Sequence, residues 1–244
     1  MSDSAAWSEA ESAVYRDLSR YAVPQRARQV AMVTALVRAA VAAGADGALL
    51  DLCCGEGLLS EALLAALPEA RVLAYDGSDS MLATTRRRAG DTPRLETRLI
   101  DLATAGWRRF ERPLGAVVSS LAIHHLDAAG KRALFADLHA ALAPGGVFVL
   151  ADVVQPATAA GQAIAAELWD EEVRRQALEL DGDLSGFEAF ERAEWNHFRH
   201  GGLDPIDKPS SLVEQLDWLR AAGFADVELH WMTAGQMIAS GWRR

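Results

Sequence analysis

Leu49-Leu50-Asp51-Leu52-Cys53-Cys54-Gly55-Glu56-Gly57-Leu58-Leu59-Ser60 is the stretch on which the fold turns. An apolar run stops at a turn of small residues, and a helical pattern starts directly after it. Such a turn lets backbone approach a ligand closely at the carboxyl end of a strand, where open α/β sheets bind ligands. Taken alone, the stretch also fits a ligand-free strand-to-helix turn or a degenerate dinucleotide fingerprint, Gly55-x-Gly57-x-x-Ser60.

From Gly47 onward, short apolar runs alternate with longer helical stretches, the pattern of a parallel sheet wrapped by helices. Strands are predicted at Ala48–Cys53, Arg71–Tyr75, Leu95–Ile100, Gly115–Ser119 and Val147–Val153. Helices are predicted at Leu58–Leu67, Asp79–Arg88 and Ala128–Leu142, the last ending at a Pro144-Gly145-Gly146 turn. Before this region, Trp7 to Ala43 carries apolar residues at helical spacing, and Pro24 is placed to open a second helix. After Asp152 the alternation stops. Ala157–Arg199 reads as helices with an acidic, Gly-interrupted middle at Asp181-Gly182-Asp183, and is expected to form a cap. A helix over Ser211–Ala222, closed by Gly223, precedes two short strands, Val227–Trp231 and Gln236–Ser240, expected to pair as a hairpin.

The chain has 244 residues, half of them hydrophobic, enough for one substantial core with an appended cap. No apolar run reaches 18 residues without charge, and Met1 to Glu11 is polar and acidic, so neither a membrane span nor a secretion signal is expected. The two cysteines are adjacent and cannot staple a distant loop, which makes a cytoplasmic location the default. A formal net charge of −10 opposes binding to a polyanion, and Arg86-Arg87-Arg88 reads as a solvated helix end. The second strand ends at Asp76, where a carboxylate can accept hydrogen bonds from both ribose hydroxyls of an adenosyl ligand. Nicotinamide and sulfonium cofactors both carry that ribose.

Four segments in order resemble the class I S-adenosylmethionine-dependent methyltransferases of the type 11/12 group. They are Leu50 to Gly57, Ala74-Tyr75-Asp76-Gly77-Ser78-Asp79-Ser80-Met81-Leu82, Ile100-Asp101-Leu102, and Leu142-Ala143-Pro144-Gly145-Gly146 running into Val147–Asp152. Asp207 to Phe224 resembles a later helical segment of the same group. The resemblance implies a Rossmann-like, doubly wound, mostly parallel seven-stranded sheet with a terminal antiparallel hairpin strand, N-terminal helices and a helical cap insert. It divides the chain into an N-terminal helical lid at 1–43, a cofactor-binding α/β domain at 44–155 and 207–244, and the cap insert at 156–206. It also implies S-adenosyl-L-methionine as cofactor. Asp51 would lie near the methionyl amino end, Gly55 and Gly57 would admit the ligand to the backbone, Asp76 would hold the ribose, and Asp101 with Leu102 would flank adenine. Cys53, Gly77, Met81 and Ser119 complete the expected cofactor contacts. The family usually has Gly where this chain has Cys53, so the backbone there must suit a Cβ or the loop must shift. A packed side chain is the expectation for both cysteines, ahead of a thiol catalyst.

The loop after strand four, Val118-Ser119-Ser120-Leu121-Ala122-Ile123-His124-His125-Leu126, lies beside the reactive methyl in this fold. It lacks the Asn/Asp-Pro-Pro-Tyr of amino-methylating enzymes and the Pro-Cys of cytosine-C5 enzymes. His124 is the candidate general base, set against a role in loop shape or helix capping. His197 and His200 are candidate substrate-pocket residues, as are Tyr15 and Tyr21, which with Trp7 suggest an aromatic lid. Arg26 or Arg28 is within reach of the methionyl carboxylate, against an ordinary surface role. No metal is expected, because the two histidines are adjacent and no ligand cluster of recognisable spacing accompanies them. The leading expectation is methyl transfer to a small molecule by a monomer or homodimer. An RNA-modifying enzyme and a cofactor-binding module without transfer activity are the alternatives.

Overall fold

The apolar runs become seven strands of one sheet: β1 (Ala48–Leu52), β2 (Val72–Asp76), β3 (Leu95–Leu99), β4 (Leu114–Ser120), β5 (Leu142–Val153), β6 (Ala225–Thr233) and β7 (Gln236–Trp242). The computed structural model describes residues 9–200 and 206–244, so Trp7 lies outside the described residues. The strand order is β3-β2-β1-β4-β5-β7-β6. β1 to β5 pair in parallel, while β7 runs antiparallel to both β5 and β6. Chain order reverses direction between β1 and β4, which opens a crevice at their carboxyl ends.

Nine α-helices among the described residues flank and connect these strands, α1 (Glu9–Ala22), α2 (Arg26–Ala42), α3 (Leu58–Ala66), α4 (Asp79–Ala89), α5 (Ala128–Ala141), α6 (Ala159–Asp181), α7 (Ser185–Arg192), α8 (His197–His200) and α9 (Leu212–Ala221), and a single 3-10 turn, Ile123–His125, follows β4. Local chemistry sets several of their starts. Ser78, Asp127 and Thr158 each accept a backbone N–H of the first turn, and Ser211 with Glu214 forms a reciprocal capping box. Pro24 does not open α2. Gln25 intervenes with a left-handed backbone (φ 49°), and the helix begins at Arg26.

Alternation along the central strands supplies two cores. Leu50, Leu52 and Phe148 face a cluster with Phe135 of α5 and Phe224, while Leu49, Val118 and Val147 face Val33 of α2 and Leu63 of α3. The expected Pro144-Gly145-Gly146 turn is not a separate element. β5 already pairs with β4 at Leu142↔Leu114, and the register shifts before Ala116↔Val147, so the three residues form an irregularity inside the strand. Gly145 takes φ 80° there.

A third cluster lies above the sheet, where Trp169, Val173, Phe187, Phe190 and Phe198 of α6–α8 pack around Ala22 and Val153. Buried polar groups tie α6 to the corner between α1 and α2. The Trp169 indole donates to the Ala22 carbonyl, and the Gln176 amide donates to the carbonyls of Tyr21 and Val23 while its oxygen accepts from Gln25 N.

Candidate functional site

The loop after β1 and the loop after β4 diverge at the reversal in strand order, and between them opens a cavity of about 460 Å³. Asp51, Cys53, Cys54, Gly55, Asp76, Gly77, Met81, Asp101 and Leu102 all line it. Cys53 stays in the left-handed region at φ 57°. The loop has not shifted to accommodate its Cβ, so the position carries the strain that glycine avoids. Gly55, also left-handed, has its nearest facing atom, Tyr15 Cε1, 4.0 Å from where a Cβ would stand. Its backbone is therefore open to the cavity. Gly57 is not in the lining. A Cβ there would meet the Thr85 side chain at 2.6 Å, so this glycine serves the packing of α4 against the loop. Thr85 in turn donates to the Gly55 carbonyl at 2.8 Å.

Asp76 accepts from Gly55 N through Oδ2 at 2.8 Å and from Ser78 N through Oδ1 at 2.9 Å. Each oxygen keeps a second lone pair, enough for a vicinal diol. Burial raises the Asp76 carboxyl, opposed by those N–H groups. Asp51 is almost wholly buried and accepts from Ser60 Oγ at 2.6 Å. Burial pushes its carboxyl up to about 7, against the Ser60 bonds and with Asp76 adding to the rise. Burial and the surrounding aspartates raise both thiols well above the ordinary cysteine range. Neither cysteine is a thiolate at neutral pH.

The cavity's far walls come from Met81, Ile100 and Leu102 on one side and from Tyr15, Arg26 and Val30 on the other. Arg26 donates to the Tyr15 hydroxyl at 3.0 Å, whereas Arg28 bonds Gln25 at an exposed position. Of the two arginines, only Arg26 reaches the site. Ser119 does not line the cavity. Its hydroxyl donates to the Leu52 carbonyl and joins β1 to β4, and its neighbour Ser120 faces the ligand side. Tyr21 also misses both cavities, because its hydroxyl bonds Asp181 and its ring packs on Gly186.

A second cavity, of about 360 Å³, lies beneath the α6–α8 cluster and shares Tyr15, Val23, Leu121 and His125 with the first. His124, His197, His200, Asp207, Glu11, Glu194, Trp169 and Trp195 also line it. Asp152, at the end of β5, accepts both the backbone N–H and Nδ1 of His124. Asp207 stands opposite. Its Oδ1 lies 3.3 Å from His124 Nε2 and 3.4 Å from His125 Nε2, and its Oδ2 lies 3.4 Å from His197 Nδ1. Burial lowers His124, but Asp152 and Asp207 outweigh it and raise the ring to about 10. Between two carboxylates this ring is protonated at neutral pH and offers no lone pair, so the general-base role expected of His124 does not suit its setting. Burial, joined by the His124 charge, moves His125 the other way.

A profile of the methyltransferase domain matches residues 49–146, the stretch from β1 into β5. Trans-aconitate 2-methyltransferase of Variovorax paradoxus (strain S110) is 30% identical over 186 residues, covering 71% of this chain and 66% of that protein. Residues 49–146 belong to the methyltransferase domain family, on a fold of the class I S-adenosylmethionine-dependent type. Carboxy-S-adenosyl-L-methionine synthase of Chromohalobacter salexigens is 27% identical over 93% of this chain and 80% of its own length. The match to trans-aconitate 2-methyltransferase of Acidovorax sp. (strain JS42) spans only 36% of that relative. Among solved structures, magnesium protoporphyrin IX methyltransferase from Synechocystis PCC 6803 shares the fold at a TM-score of 0.56 and 17% identity, over 95% of this chain and 87% of that one. An O-methyltransferase family protein from Burkholderia thailandensis does so at 0.59 and 18%, over 92% and 62%.

Two residues that line these cavities, Ser120 and Asp207, were missed by the sequence reading. Ser120 adjoins a residue that was named, and the strand's alternation alone decides which of the two faces the cavity. Asp207 stood only inside a stretch matched to the family. The signal that finds it is spatial, since three histidine rings from two separate segments converge on it.

Proposed function

We propose that the chain binds S-adenosyl-L-methionine in the larger cavity and transfers its methyl group to a small molecule held in the second. The observation that carries this reading is that the two cavities meet at Tyr15, Val23, Leu121 and His125, beside the β1 loop. Bound cofactor would supply an electrophilic methyl on a sulfonium. Asp76 would accept the ribose hydroxyls, Asp51 would face the methionyl ammonium and Arg26 its carboxylate. Met81, Ile100 and Leu102 would enclose adenine, with Asp101 at its edge. In-line displacement depends mostly on alignment, to which positioning contributes roughly 7–11 kcal/mol. The chain's part is to hold an acceptor across the shared wall with water kept out. α1 would act as a lid and α6–α8 as a cap.

Lining chemistry favours a neutral or cationic acceptor with an aromatic surface. Glu11, Glu194 and Asp207 face the second cavity together with Tyr15, Trp169 and Trp195, and no Lys or Arg lines it among the described residues. A tricarboxylate such as trans-aconitate is disfavoured there. Calorimetric titration with S-adenosylhomocysteine tests the cofactor half. Tight one-to-one binding, weakened at least tenfold by Asp76→Ala, is expected, and absence of binding rejects the reading.

The match to the carboxy-S-adenosyl-L-methionine synthase, over 93% of this chain and 80% of that protein, favours one second reading, in which the cofactor itself is the substrate. Mass analysis of the cofactor after turnover separates them, since methyl transfer leaves S-adenosylhomocysteine and the alternative leaves a heavier sulfonium.

A further inference from the structure

Asp207 is surrounded by imidazole nitrogens that are too far away for good hydrogen bonds and too close to be unrelated to it. The three nitrogen–oxygen separations are 3.3, 3.4 and 3.4 Å, beyond the ordinary N–H···O range of about 2.7–3.2 Å. Ligand atoms bonded to one tetrahedral ion at about 2.0–2.1 Å stand about 3.3–3.4 Å from each other. The donor atoms of His124, His125 and Asp207 all lie within 4.8 Å of one another. His197 is nine-tenths buried, and its Nδ1, directed at Asp207, has no hydrogen-bond partner. A buried nitrogen left in that state has given up its hydration for nothing unless something binds it.

We propose that His124 Nε2, His125 Nε2 and the Asp207 carboxylate bind a divalent transition ion of the zinc type, with a fourth position open to the cavity and His197 Nδ1 supporting the other oxygen of Asp207. Asp152 already provides the supporting contact such a site needs. It fixes the proton of His124 on Nδ1 and aims Nε2 at the cluster, the carboxylate–histidine–metal arrangement. The ion would displace the Nε2 proton of His124 to solvent, and the neutral imidazoles with the carboxylates of Asp152 and Asp207 would then balance a charge of +2. The sequence reading set a metal aside because adjacent histidines lacked a third ligand at a recognisable spacing. The fold removes that objection by bringing Asp207 and His197 in from the far end of the α6–α8 segment.

The ligand set opens onto the second cavity, so an ion there would meet the acceptor. An acceptor hydroxyl bonded to it would lose its proton more readily and become the better nucleophile. That consequence rests on the methyl-transfer reading, but ion binding does not.

The test uses the full chain, stripped with chelator and titrated with Zn²⁺ alone by calorimetry and with Co²⁺ by visible absorption. No cofactor or acceptor is present, so failure here leaves methyl transfer standing, and failure of cofactor binding leaves this site standing. One ion per chain and an intense four-coordinate Co²⁺ band are expected. Asp207→Asn and His197→Gln should each weaken Zn²⁺ binding by roughly 10–100-fold. His230→Gln, on β6 and bonded to Ser240, should leave it unchanged. His197→Gln removes no existing hydrogen bond from Nδ1, so it decides the matter even where Asp207→Asn fails to fold. No binding, or binding indifferent to His197→Gln, overturns the proposal and leaves Asp207 as a hydrogen-bonding hub.

Discussion

Asp51 and Cys53 are two positions apart and carry opposite kinds of cost. Asp51 holds its proton up to about pH 7 because burial penalises the charge more than Ser60 relieves it. In the unfolded chain the group ionises near ~3.9. The folded state therefore binds this proton more tightly, and the stability it contributes is complete below the unfolded value and lost as pH rises through about 7. Relative to wild type, the ligand-free Asp51→Asn variant should melt higher at pH 8 than at pH 6. A methionyl ammonium would select the ionised carboxylate, so cofactor affinity should fall as pH drops below about 7, by up to about tenfold per unit. Calorimetry between these pH values checks this, and an unchanged slope in Asp51→Asn would remove Asp51 from the ammonium site. At Cys53 the cost is conformational. Left-handed backbone under a Cβ costs of order 1 kcal/mol, partly offset by the entropy that glycine loses on folding. Cys53→Gly should raise the melting temperature by about 2 °C, whereas Cys53→Ala keeps the strain and should not.

At the scale of elements, what was legible depended on whether the signal lay within the element. The central strands carry their own signal, since continuous apolar runs such as 116–118 and 147–151 are buried on both faces. Ser78, Asp127 and Thr158 lie beside the first turns they cap, so those starts are local as well. β5 is the counterexample. Its first residues pair with Leu114 across an irregular register, and nothing inside Pro144-Gly145-Gly146 announces a neighbouring strand. The cofactor loop was readable for the same reason as the strands, because its glycines and aspartates follow one another in sequence. The histidine cluster was not, because its members come from the turn after β4, from the start of α8 and from the approach to α9. Gln176 shows how such distant contacts carry weight. Buried on α6, it answers two carbonyls and one N–H at the α1–α2 corner. Gln176→Leu strands those groups at a cost of about 2 kcal/mol. Thermal unfolding should show a drop of about 5 °C. Because Tyr15 and Arg26 flank that corner, cofactor affinity should weaken with it, and a variant as stable and as tight-binding as wild type would deny the corner any part in the site.

For the molecule as a whole, two cavities share one wall and one helix borders both. α1 brings Tyr15 to each cavity, and its other contacts run to α4, α6 and α7. Arg26, whose guanidinium bonds the Tyr15 hydroxyl, joins α1 to the first turn of α2. A cofactor carboxylate drawn to Arg26 would thus anchor α1 through a charge-assisted pair, and α1 would close the larger cavity while completing the smaller. Cofactor binding should therefore precede acceptor binding and stabilise α1 in place. Hydrogen exchange measures this directly, because the N-terminal helix is held by few long-range contacts compared with the central strands. Saturating S-adenosylhomocysteine should slow exchange across Glu9–Ala22 at least tenfold while leaving β6, on the far edge of the sheet, unaltered. In Arg26→Gln that protection should largely vanish even at ligand concentrations that fill the site. Equal protection in the variant would show that α1 closes without Arg26, and no protection in wild type would mean that α1 is not a lid.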